Sequence, residues 1–511
     1  MRHNFQLKTL AIAVASLSAV SLTHAAALDR SGQDITAFLQ DGLYAEASYT
    51  YIDADVTGYD SANTASNSKE YVKGREIDDI AESYDFFRYG VKTDVNDTFS
   101  VGILYDEPFG AAADYVGDNN FVGAATGAVN DIIASQLQAT TGVTDVAGLK
   151  ELIQGTETTL NNSANFLDQS RAQVAQLQAA LQNDPSLEPV LRDRIDTALE
   201  QIAAGETKLA EGRAQLAGLE RLENFADGRL ANDEGTQVEV RTESITGILG
   251  MKFGQNKNFQ VYGGPVAQRL KADVKLRGSA YGGATGYTAH ISPDQDYGWL
   301  AGFAYSKPEI GLKAALTYRS EIDHKANIGE TYPLVGALGG NPEQSGTIDI
   351  TTPESVNLDF QTGINPTTLA TARVRYVPWS DFEIVPPLYN QVSKRVTQDD
   401  KGLALVDYDK DQWVVELGLA KRLTPALAVS GNIGWDSGAG NPTTSLGPIE
   451  GYYSAGLGAK YNFTENWAVS AGGKYLWFGD AKGRIPTGKL ASDFQDNDGY
   501  ILGVKLSYQD K

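Results

Sequence analysis

The clearest structural signal in the chain is the segment Ile310-Gly311-Leu312-Lys313-Ala314-Ala315-Leu316-Thr317-Tyr318-Arg319-Ser320-Glu321. Successive side chains of a β-strand point to opposite faces of the sheet, so alternate positions share a face. One face of this segment is small, polar or charged, and the other is apolar: Ile310, Leu312, Ala314, Leu316 and Tyr318. A strand needs about 9–11 residues with this alternation to cross a bilayer. The segment therefore predicts a membrane-spanning strand.

The same alternation recurs along the chain. Residues 297–305 carry it too and are joined to the first segment by the tight turn Lys307-Pro308-Glu309. Similar strand pairs surround five other short turns: Asn96-Asp97, Gln255-Asn256-Lys257, Asn365-Pro366, Thr424-Pro425 and Thr464-Glu465-Asn466. With a first strand over residues 43–55 and a last one ending at Tyr508, we count about fourteen antiparallel strands. Single-chain outer-membrane barrels have an even number of strands, so the pattern predicts an all-β transmembrane barrel.

The connections fall into two length classes. One class is two to five residues long, and the other is long and polar: residues 56–83, 107–236, 279–295, 325–352, 381–409, 438–449 and 481–496. Short periplasmic turns and long extracellular loops are typical of outer-membrane barrels. This arrangement predicts an aromatic girdle at the outer rim, made by Trp299, Trp379, Trp413, Trp435 and Trp477. A large water-soluble β-sandwich also alternates, but it does not explain the two loop classes.

The N-terminus sets the compartment. Arg2 and Lys8 precede an apolar run from Thr9 to Leu22, and small residues follow up to Ala27. The pattern predicts a signal peptide over residues 1–25, cleaved after Ala25 or Ala27, with a buried helix or an uncleaved anchor as the alternative. Further along, we find no run of about 18 apolar residues, so we expect no transmembrane helix. An exported chain rich in strands belongs in the periplasm, the medium or a bacterial outer membrane, and the barrel pattern favours the last.

The composition excludes several function classes. The 511 residues include no Cys, so there is no thiol nucleophile, disulfide or thiolate metal site. With only four His, a His-built metal centre would be exceptional. A net charge of −23 makes nucleic acid an improbable partner. The mean hydropathy of −0.28 is low for a polytopic helical membrane protein.

Residues 128–230 break the strand pattern. Leu160, Phe166 and Val174 recur at helical spacing, as do Leu191, Ile195 and the apolar residues that follow them, and Asn183-Asp184-Pro185 separates the two runs. We expect two helices that form an antiparallel hairpin inserted in the second long loop. The hairpin is either a capture surface above the barrel mouth or a self-contained structural insertion. The predicted organisation is completed by an N-terminal segment at 26–42, strands 1–3 at 43–127 and strands 4–14 at 231–511.

Several short motifs, taken in order, resemble those of the FadL/TodX family. They are Leu28-Asp29-Arg30-Ser31-Gly32-Gln33, Tyr44-Ala45-Glu46, Tyr51-Ile52-Asp53-Ala54-Asp55-Val56-Thr57-Gly58, Tyr105-Asp106-Glu107-Pro108-Phe109-Gly110, Thr317-Tyr318-Arg319-Ser320-Glu321 and Thr352-Pro353-Glu354-Ser355-Val356. The resemblance covers about 28–125 and 235–508 and leaves out the helical insertion. Members of this family are outer-membrane transporters of long-chain fatty acids and other hydrophobic compounds.

The resemblance implies a monomeric barrel with an N-terminal hatch, here residues 26–42, inside it. It also implies passive transport of long-chain fatty acids or hydrocarbons, captured among extracellular loops and released by diffusion, with a wall opening beside a kinked strand as one exit. The partners would be this cargo, outer-membrane lipid and lipopolysaccharide, with no cofactor. The hatch segment is short and lacks the Asn-Pro-Ala run common in the family, which puts the plugging mechanism in question.

A carboxylate head group would bind a cation. Four cations fall on strand faces that we assign to the barrel interior, namely Lys313, Arg319, Arg373 and Arg375, with Arg241 and Arg88 as further candidates. The alternative is that these cations pair with lumen acids such as Glu321, Asp359 and Glu416.

Other chemistry has little support in the sequence. The acidic runs Asp399-Asp400, 407–411 and 493–498 offer oxygen ligands for Ca²⁺, but solvation of the loops explains them better. We find no Gly-x-Ser-x-Gly or His-Glu-x-x-His motif, and nothing pairs His290 or His324 with a nucleophile, so we expect no enzyme activity. The alternatives to a hydrophobic-compound transporter are a porin for polar solutes and a surface adhesin that displays the hairpin.

Overall fold

The computed structural model describes residues 28–63, 69–123, 126–230 and 234–510. The predicted signal peptide lies outside the described residues. Among the helices that are described, none has the length and apolar character needed to cross a membrane.

Fourteen antiparallel strands form the main sheet, which contains seventeen hydrogen-bonded segments because three strands are interrupted. The strands are β1 (Tyr44–Asp55), β2 (Tyr84–Asp94), β3 (Phe99–Asp106, then Gly110–Asp114), β4 (Gln237–Phe253), β5 (Phe259–Lys275), β6 (Thr288–Lys307), β7 (Leu312–Arg319, then Ile322–Thr331), β8 (Glu343–Thr352, then Ser355–Asn365), β9 (Thr368–Val377), β10 (Gln412–Arg422), β11 (Leu427–Asp436), β12 (Tyr452–Asn462), β13 (Trp467–Phe478) and β14 (Asp498–Gln509).

The sheet closes on itself. β1 pairs with β14 from Tyr44↔Gln509 to Asp55↔Asp498, and on its other edge it pairs with β2. Closure satisfies the backbone hydrogen bonds of every neighbouring strand, which is the condition for a sheet to exist in lipid. The predicted all-β transmembrane barrel is therefore confirmed.

Alternate side chains point to lipid and to the bore. On β12, Leu457 is 77% exposed and lies midway between the outward Tyr453 and Tyr461. Aromatic pairs mark both rims: the rings of Trp299 and Tyr318 are 5.1 Å apart. At the opposite end the distance between the rings of Trp467 and Tyr508 is also 5.1 Å. These are the aromatic girdles of an outer-membrane barrel.

The prediction for Trp379 is wrong. Trp299, Trp413, Trp435 and Trp477 project outward, but Trp379 is fully buried. Its indole N–H donates a hydrogen bond to Gln412 Oε1 at 2.9 Å. Trp379 lies in a short helical turn after β9 that folds inward over the mouth of the barrel, so its ring joins the extracellular core instead of the lipid surface.

The prediction of a long connection over residues 325–352 is also wrong. Residues Ile322–Thr331 and Glu343–Thr352 are strands that pair along their whole length and continue β7 and β8 above the membrane. Their outward face is polar or charged, because a strand in water need not present apolar side chains outward, while apolar residues such as Ile328 and Ile350 are buried in the extracellular core. An outward apolar stripe therefore marks where the bilayer ends and not where the strand ends.

The extracellular part contains further elements. Short strands form a small five-stranded sheet, namely Gly58–Ser61, Lys73–Ile77, Thr443–Thr444, Ala481–Arg484 and Leu490–Phe494. A two-stranded pair joins Glu383–Ile384 to Val406–Asp407. The helices are α1 (Thr126–Thr141), α2 (Val146–Asn183), α3 (Glu188–Leu230), α4 (Pro333–Ala337) and α5 (Pro387–Thr397), with short 3₁₀ turns at Pro185–Leu187, Ser279–Ala284 and Trp379–Asp381. A further 3₁₀ turn, Pro308–Ile310, joins β6 to β7 at the periplasmic end.

The predicted helical hairpin is confirmed as α2 and α3. Their shared core is made by buried Leu167 and Val174 from α2 and by Leu191, Ile195 and Ile202 from α3. α2 has 38 residues, which corresponds to roughly 57 Å at 1.5 Å per residue. Sequence periodicity placed Phe166 on this core, but it is 68% exposed, and its neighbour Leu167 packs in its place. α1 is an additional helix that packs against the base of the hairpin.

The insertion enters and leaves the barrel through adjacent backbone. Val122 and Gly235 form an antiparallel bridge, and the Gly123 N–H donates to Glu234 O at 2.7 Å. The two ends of the insertion are therefore already joined by hydrogen bonds within the barrel loops.

The lipid-facing position of Leu457 can be tested by comparing a substitution there with the same substitution at Leu338. Leu338 is similarly exposed but lies in the 332–342 connection. Leu457→Arg places a charge in the middle of the lipid belt, so the free energy of unfolding should fall by about 2–4 kcal/mol. Leu338→Arg should change it by less than about 0.5 kcal/mol. Urea titration in phospholipid vesicles measures both, and equal effects of the two substitutions would contradict the predicted belt.

Excision of residues 126–230 and their replacement by a short Gly-Ser linker should leave a folded barrel, because the ends are bridged at Val122 and Gly235. The expected result is that the variant still migrates differently in boiled and unboiled samples on a denaturing gel. Identical migration in both samples would show that the insertion is part of the folding unit.

Candidate functional site

The N-terminal segment 28–43 lies inside the barrel and forms its hatch. Ile35, Ala37 and Phe38 are buried, and the Phe38 ring lies 5.7 Å from the ring of Tyr262 on β5. Gly102 and Gly250 leave room for this ring, since a Cβ at either position would come within 3 Å of Phe38 atoms. The hatch therefore fills one side of the bore with apolar contacts to β3, β4 and β5.

On the opposite side an ionic latch holds the hatch, made by Asp29, Asp34, Arg88, Arg373 and Arg375. Arg375 donates to both oxygens of Asp29, with Nε to Oδ2 at 2.6 Å and Nη2 to Oδ1 at 3.0 Å. Both side chains are fully buried. Bidentate pairs of this kind are strong and directional, so they fix the start of the hatch to β9.

Asp34 is the second anchor of the ionic latch. Its oxygens lie 3.2 Å from Arg88 Nη1 on β2 and 3.3 Å from Arg373 Nη2 on β9. Burial alone would raise the pKa of Asp34, but the two guanidinium groups outweigh it and hold the pKa below its ordinary value. Arg373 also bonds Asp359 on β8, with Nε to Oδ1 at 2.8 Å. One hatch carboxylate thus connects two sides of the barrel wall.

The four cations predicted to bind a head group lie in the bore, but the structure gives them different surroundings. Arg373 and Arg375 belong to the ionic latch, and Lys313 Nζ donates to Leu39 O in the hatch. Arg319 is buried, its Nη1 lies 3.3 Å from Thr246 Oγ1, and its Nε has no hydrogen-bond partner among the described residues. Head-group binding by these four cations stays a prediction.

The further candidates and the lumen acids are also placed. Arg88 is a latch residue, while Arg241 bonds Glu239 at 2.9 Å. Asp359 pairs with Arg373, and Glu416 pairs with Lys474. Glu321 is exposed, at the interruption of β7. The hatch acids Asp29 and Asp34 were not singled out from the sequence. The sequence did contain a signal for them, because a hatch segment that carries two acids and lies among interior arginines is expected to form ion pairs with those arginines.

The wall of the barrel is interrupted between β2 and β3. Their hydrogen-bonded ladder runs from Asp94↔Ser100 to Tyr89↔Tyr105, and the next bridge above it is Ala81↔Ala113. Between these points, residues 84–88 of β2 face residues 106–110, and we call this stretch the wall gap.

At the wall gap, the chain of β3 pairs with the hatch. The Gly110 N–H donates to Leu28 O at 2.7 Å, and the Arg30 N–H donates to Pro108 O at 2.8 Å. Pro108 has no N–H of its own, so it cannot complete the ladder to β2. On the other edge Phe109 stays attached to β4, because its N–H donates to Thr242 Oγ1 at 2.8 Å. The hatch thus takes the hydrogen bonds that β2 would otherwise make.

Two cavities of different character lie above and below the hatch. The upper cavity has about 320 Å³ of empty space and is lined mainly by apolar side chains, among them Leu28, Phe109, Trp379 and Phe382. The lower cavity has about 780 Å³ of empty space beside the hatch, and its lining mixes apolar side chains with charged ones: Lys313, Asp359, Arg373 and Glu416. Apolar cargo is favoured in the upper cavity, whereas in the lower one it would lie against buried charges, which is costly.

The acidic loops and the histidines are occupied by other contacts. Asp407 and Asp409 both bond Arg484, at 3.0 and 3.1 Å, and Asp411 accepts from Ser380 Oγ at 2.6 Å. Among the residues the structure describes, no three His, Asp or Glu side chains converge as a metal site. His324 Nε2 lies 3.1 Å from Gln268 Oε1, and His290 Nδ1 lies 2.6 Å from Asp273.

The fold has solved relatives. A FadL homologue of Pseudomonas aeruginosa aligns over 96% of this chain and 97% of its own, with a TM-score of 0.57 and 12% identity. The toluene transporter TodX of Pseudomonas putida aligns over 92% of this chain and 90% of its own, with a TM-score of 0.47 and 10% identity. At these identities the likeness concerns the fold alone. No curated protein sequence matches this chain significantly.

A family model described as outer membrane protein transport protein (OMPP1/FadL/TodX) matches residues 201–509, which is more than half of the sequence. The match includes β4 to β14 and two of the motifs noted in the sequence, at 317–321 and 352–356. The chain belongs to the OMPP1/FadL/TodX family of outer-membrane transport proteins.

Proposed function

We propose that this protein carries long-chain fatty acids or related hydrophobic compounds across the outer membrane by passive diffusion, as a single barrel. Cargo is captured among the extracellular loops, enters the upper cavity and leaves sideways through the wall gap. The observation that carries the proposal is the position of an apolar cavity directly beside the interrupted wall, with Phe109 belonging to both.

A sideways exit follows from the properties of the bore. Below the upper cavity, the path to the periplasm is filled by Phe38 and its neighbours on one side and by the ionic latch on the other. An apolar chain that moved through the lower cavity would have to desolvate paired charges such as Arg373 and Asp359, which is costly. The wall gap offers a path from the upper cavity into the hydrocarbon of the membrane.

Transport by this route needs no coupled energy source. Each Å² of apolar surface removed from water contributes about 25 cal/mol, so an oily molecule gains free energy when it enters the upper cavity. It keeps that gain when it passes from the cavity into the hydrocarbon of the membrane. Net movement then follows the concentration gradient of the cargo. The role of the protein is to provide an apolar route through the polar surface layer.

Because the ionic latch holds the hatch inside the barrel, we can predict the conductance of the protein in a planar bilayer. Wild type in a planar bilayer should show no steady open channel. Asp34→Ala leaves Arg88 and Arg373 buried without this carboxylate, which should weaken the docking of the hatch by about 3–5 kcal/mol. We therefore expect frequent channel openings in recordings of this variant.

The matched control is Asp41→Ala, since Asp41 is also a hatch aspartate but is 73% exposed and 3.8 Å from its partner Lys252. It should behave like wild type. A steady conductance of the wild-type protein would favour a porin. If the Asp34→Ala variant shows no channel openings, the ionic latch does not hold the hatch in place.

The wall gap can be blocked selectively, because the chain contains no Cys. Phe87→Cys puts a thiol on the outer face of β2 at the wall gap, where the native side chain is 45% exposed. After reaction with pyrene maleimide, uptake of labelled oleate should fall to the level of cells without the protein, because the pyrene group obstructs the exit. Uptake is measured in bacteria that lack their own fatty-acid transporter.

The control is Ile103→Cys, which lies on the paired part of β3 and is 61% exposed to lipid. Its labelling should leave uptake unchanged. If the label at residue 87 has no effect, the sideways route is wrong. If unmodified wild type does not raise oleate uptake at all, transport of this cargo is wrong, and an adhesin or a porin becomes the better account.

A further inference from the structure

Arg30 of the hatch is a buried cation with an unused hydrogen-bond donor. The residue is only 5% exposed, and its Nη1 has no hydrogen-bond partner among the described residues. Its Nε donates to Gly110 O at 2.5 Å, and its guanidinium carbon lies 3.4 Å from the centre of the Tyr84 ring. Arg30 is therefore fixed in place at the wall gap by one hydrogen bond and one cation–π contact.

The acidic groups around Arg30 are engaged with other partners. Glu107 Oε2 accepts from Tyr84 Oη at 2.9 Å, and Glu239 bonds Arg241 at 2.9 Å. Asp29, the residue next to Arg30, accepts hydrogen bonds from Nε and Nη2 of Arg375. Burial lowers the pKa of Arg30 to about 10, so the group is still charged at neutral pH. A charged, desolvated donor without a partner is costly, and this cost is removed when an anion binds.

Arg30 lines a third cavity, which we call the side cavity. It has about 650 Å³ of empty space, part of which is open to solvent. Its wall is largely apolar, with Ile52, Ala54 and Val56 from the β1 side and Ile80 opposite, and residues 110–113 form the edge of the wall gap. Its acidic lining residues are Asp29, which is paired, and Glu82, whose side chain lies on the exposed rim.

We propose that Arg30 is a carboxylate-binding residue and that the side cavity takes apolar monocarboxylic acids, with the head group on the Arg30 guanidinium and the hydrocarbon chain along the apolar wall. The inference rests on the proposed transport function and narrows its cargo to acids. A charge-assisted hydrogen bond in a buried site favours an acid over its alcohol. A neutral hydrocarbon would leave Nη1 without a partner.

The test is equilibrium dialysis of the full-length protein in maltoside micelles at pH 7.5, with radiolabelled dodecanoate and dodecanol and with empty micelles subtracted. Wild type should prefer dodecanoate. Arg30→Gln should weaken dodecanoate binding by about tenfold or more and change dodecanol binding by less than about twofold, since the alcohol does not need the charge. Arg241→Gln is the matched control, because Arg241 also lies over Tyr84, at 4.8 Å, but its Nε is already bonded to Glu239.

Arg30→Lys keeps the charge and tests whether Arg30→Gln merely disturbs the hatch; it should retain the preference for the acid. Folding of each variant is checked by its heat-dependent gel migration. Unchanged dodecanoate binding in Arg30→Gln, or equal loss of both ligands, would overturn the assignment of Arg30. If wild type binds dodecanol strongly and shows no preference for dodecanoate, the assignment of Arg30 is also wrong. That result would still be consistent with transport of hydrophobic compounds. Binding of neither ligand by wild type would remove the proposed function itself.

Discussion

The structure depends on one requirement of the bilayer: every backbone N–H and C=O of the spanning sheet needs a partner inside the protein. Pairing of β1 with β14 meets this requirement around the barrel. At residues 108–110 of β3 the partner is the hatch and not the neighbouring strand, through Leu28 O and the Arg30 N–H. The hatch is therefore part of the wall as well as the plug of the bore. A movement of its first residues would change the bore and the wall gap together.

The distribution of charge explains why cargo would use the wall and not the bore. The extracellular part is built on an apolar core that includes Phe109 and Trp379, whereas the bore is crossed by buried ion pairs between hatch and wall. Breaking such a pair leaves an uncompensated charge in a poorly hydrated place. The same pairs that make the bore unsuitable for an oily molecule also make it unsuitable for free passage of water, since they hold the hatch in position.

Much of the barrel was predictable, because lipid acts on each strand separately and leaves a period-two pattern in the local sequence. The ends of the strands above the membrane were not predictable, since Ile322–Thr331 and Glu343–Thr352 pair in water with a polar outward face. The buried position of Trp379 depends on a turn that folds it over the mouth of the barrel. The ionic latch joins residues more than 300 positions apart, as in Asp29 and Arg375. The wall gap had one local signal, Pro108 within a strand, but the partner that replaces the lost pairing lies about 80 residues away.

The most direct measurement of the central claim is photo-crosslinking of a diazirine-labelled long-chain fatty acid to the protein in native outer membranes, followed by mass spectrometry of the peptides. The account predicts crosslinks on both edges of the wall gap, within residues 84–88 and 106–110, together with the residues of the upper cavity. Crosslinks confined to the lower cavity around Lys313 and Glu416, with none at the wall gap, would contradict it, because they would place the cargo on a straight path through the bore.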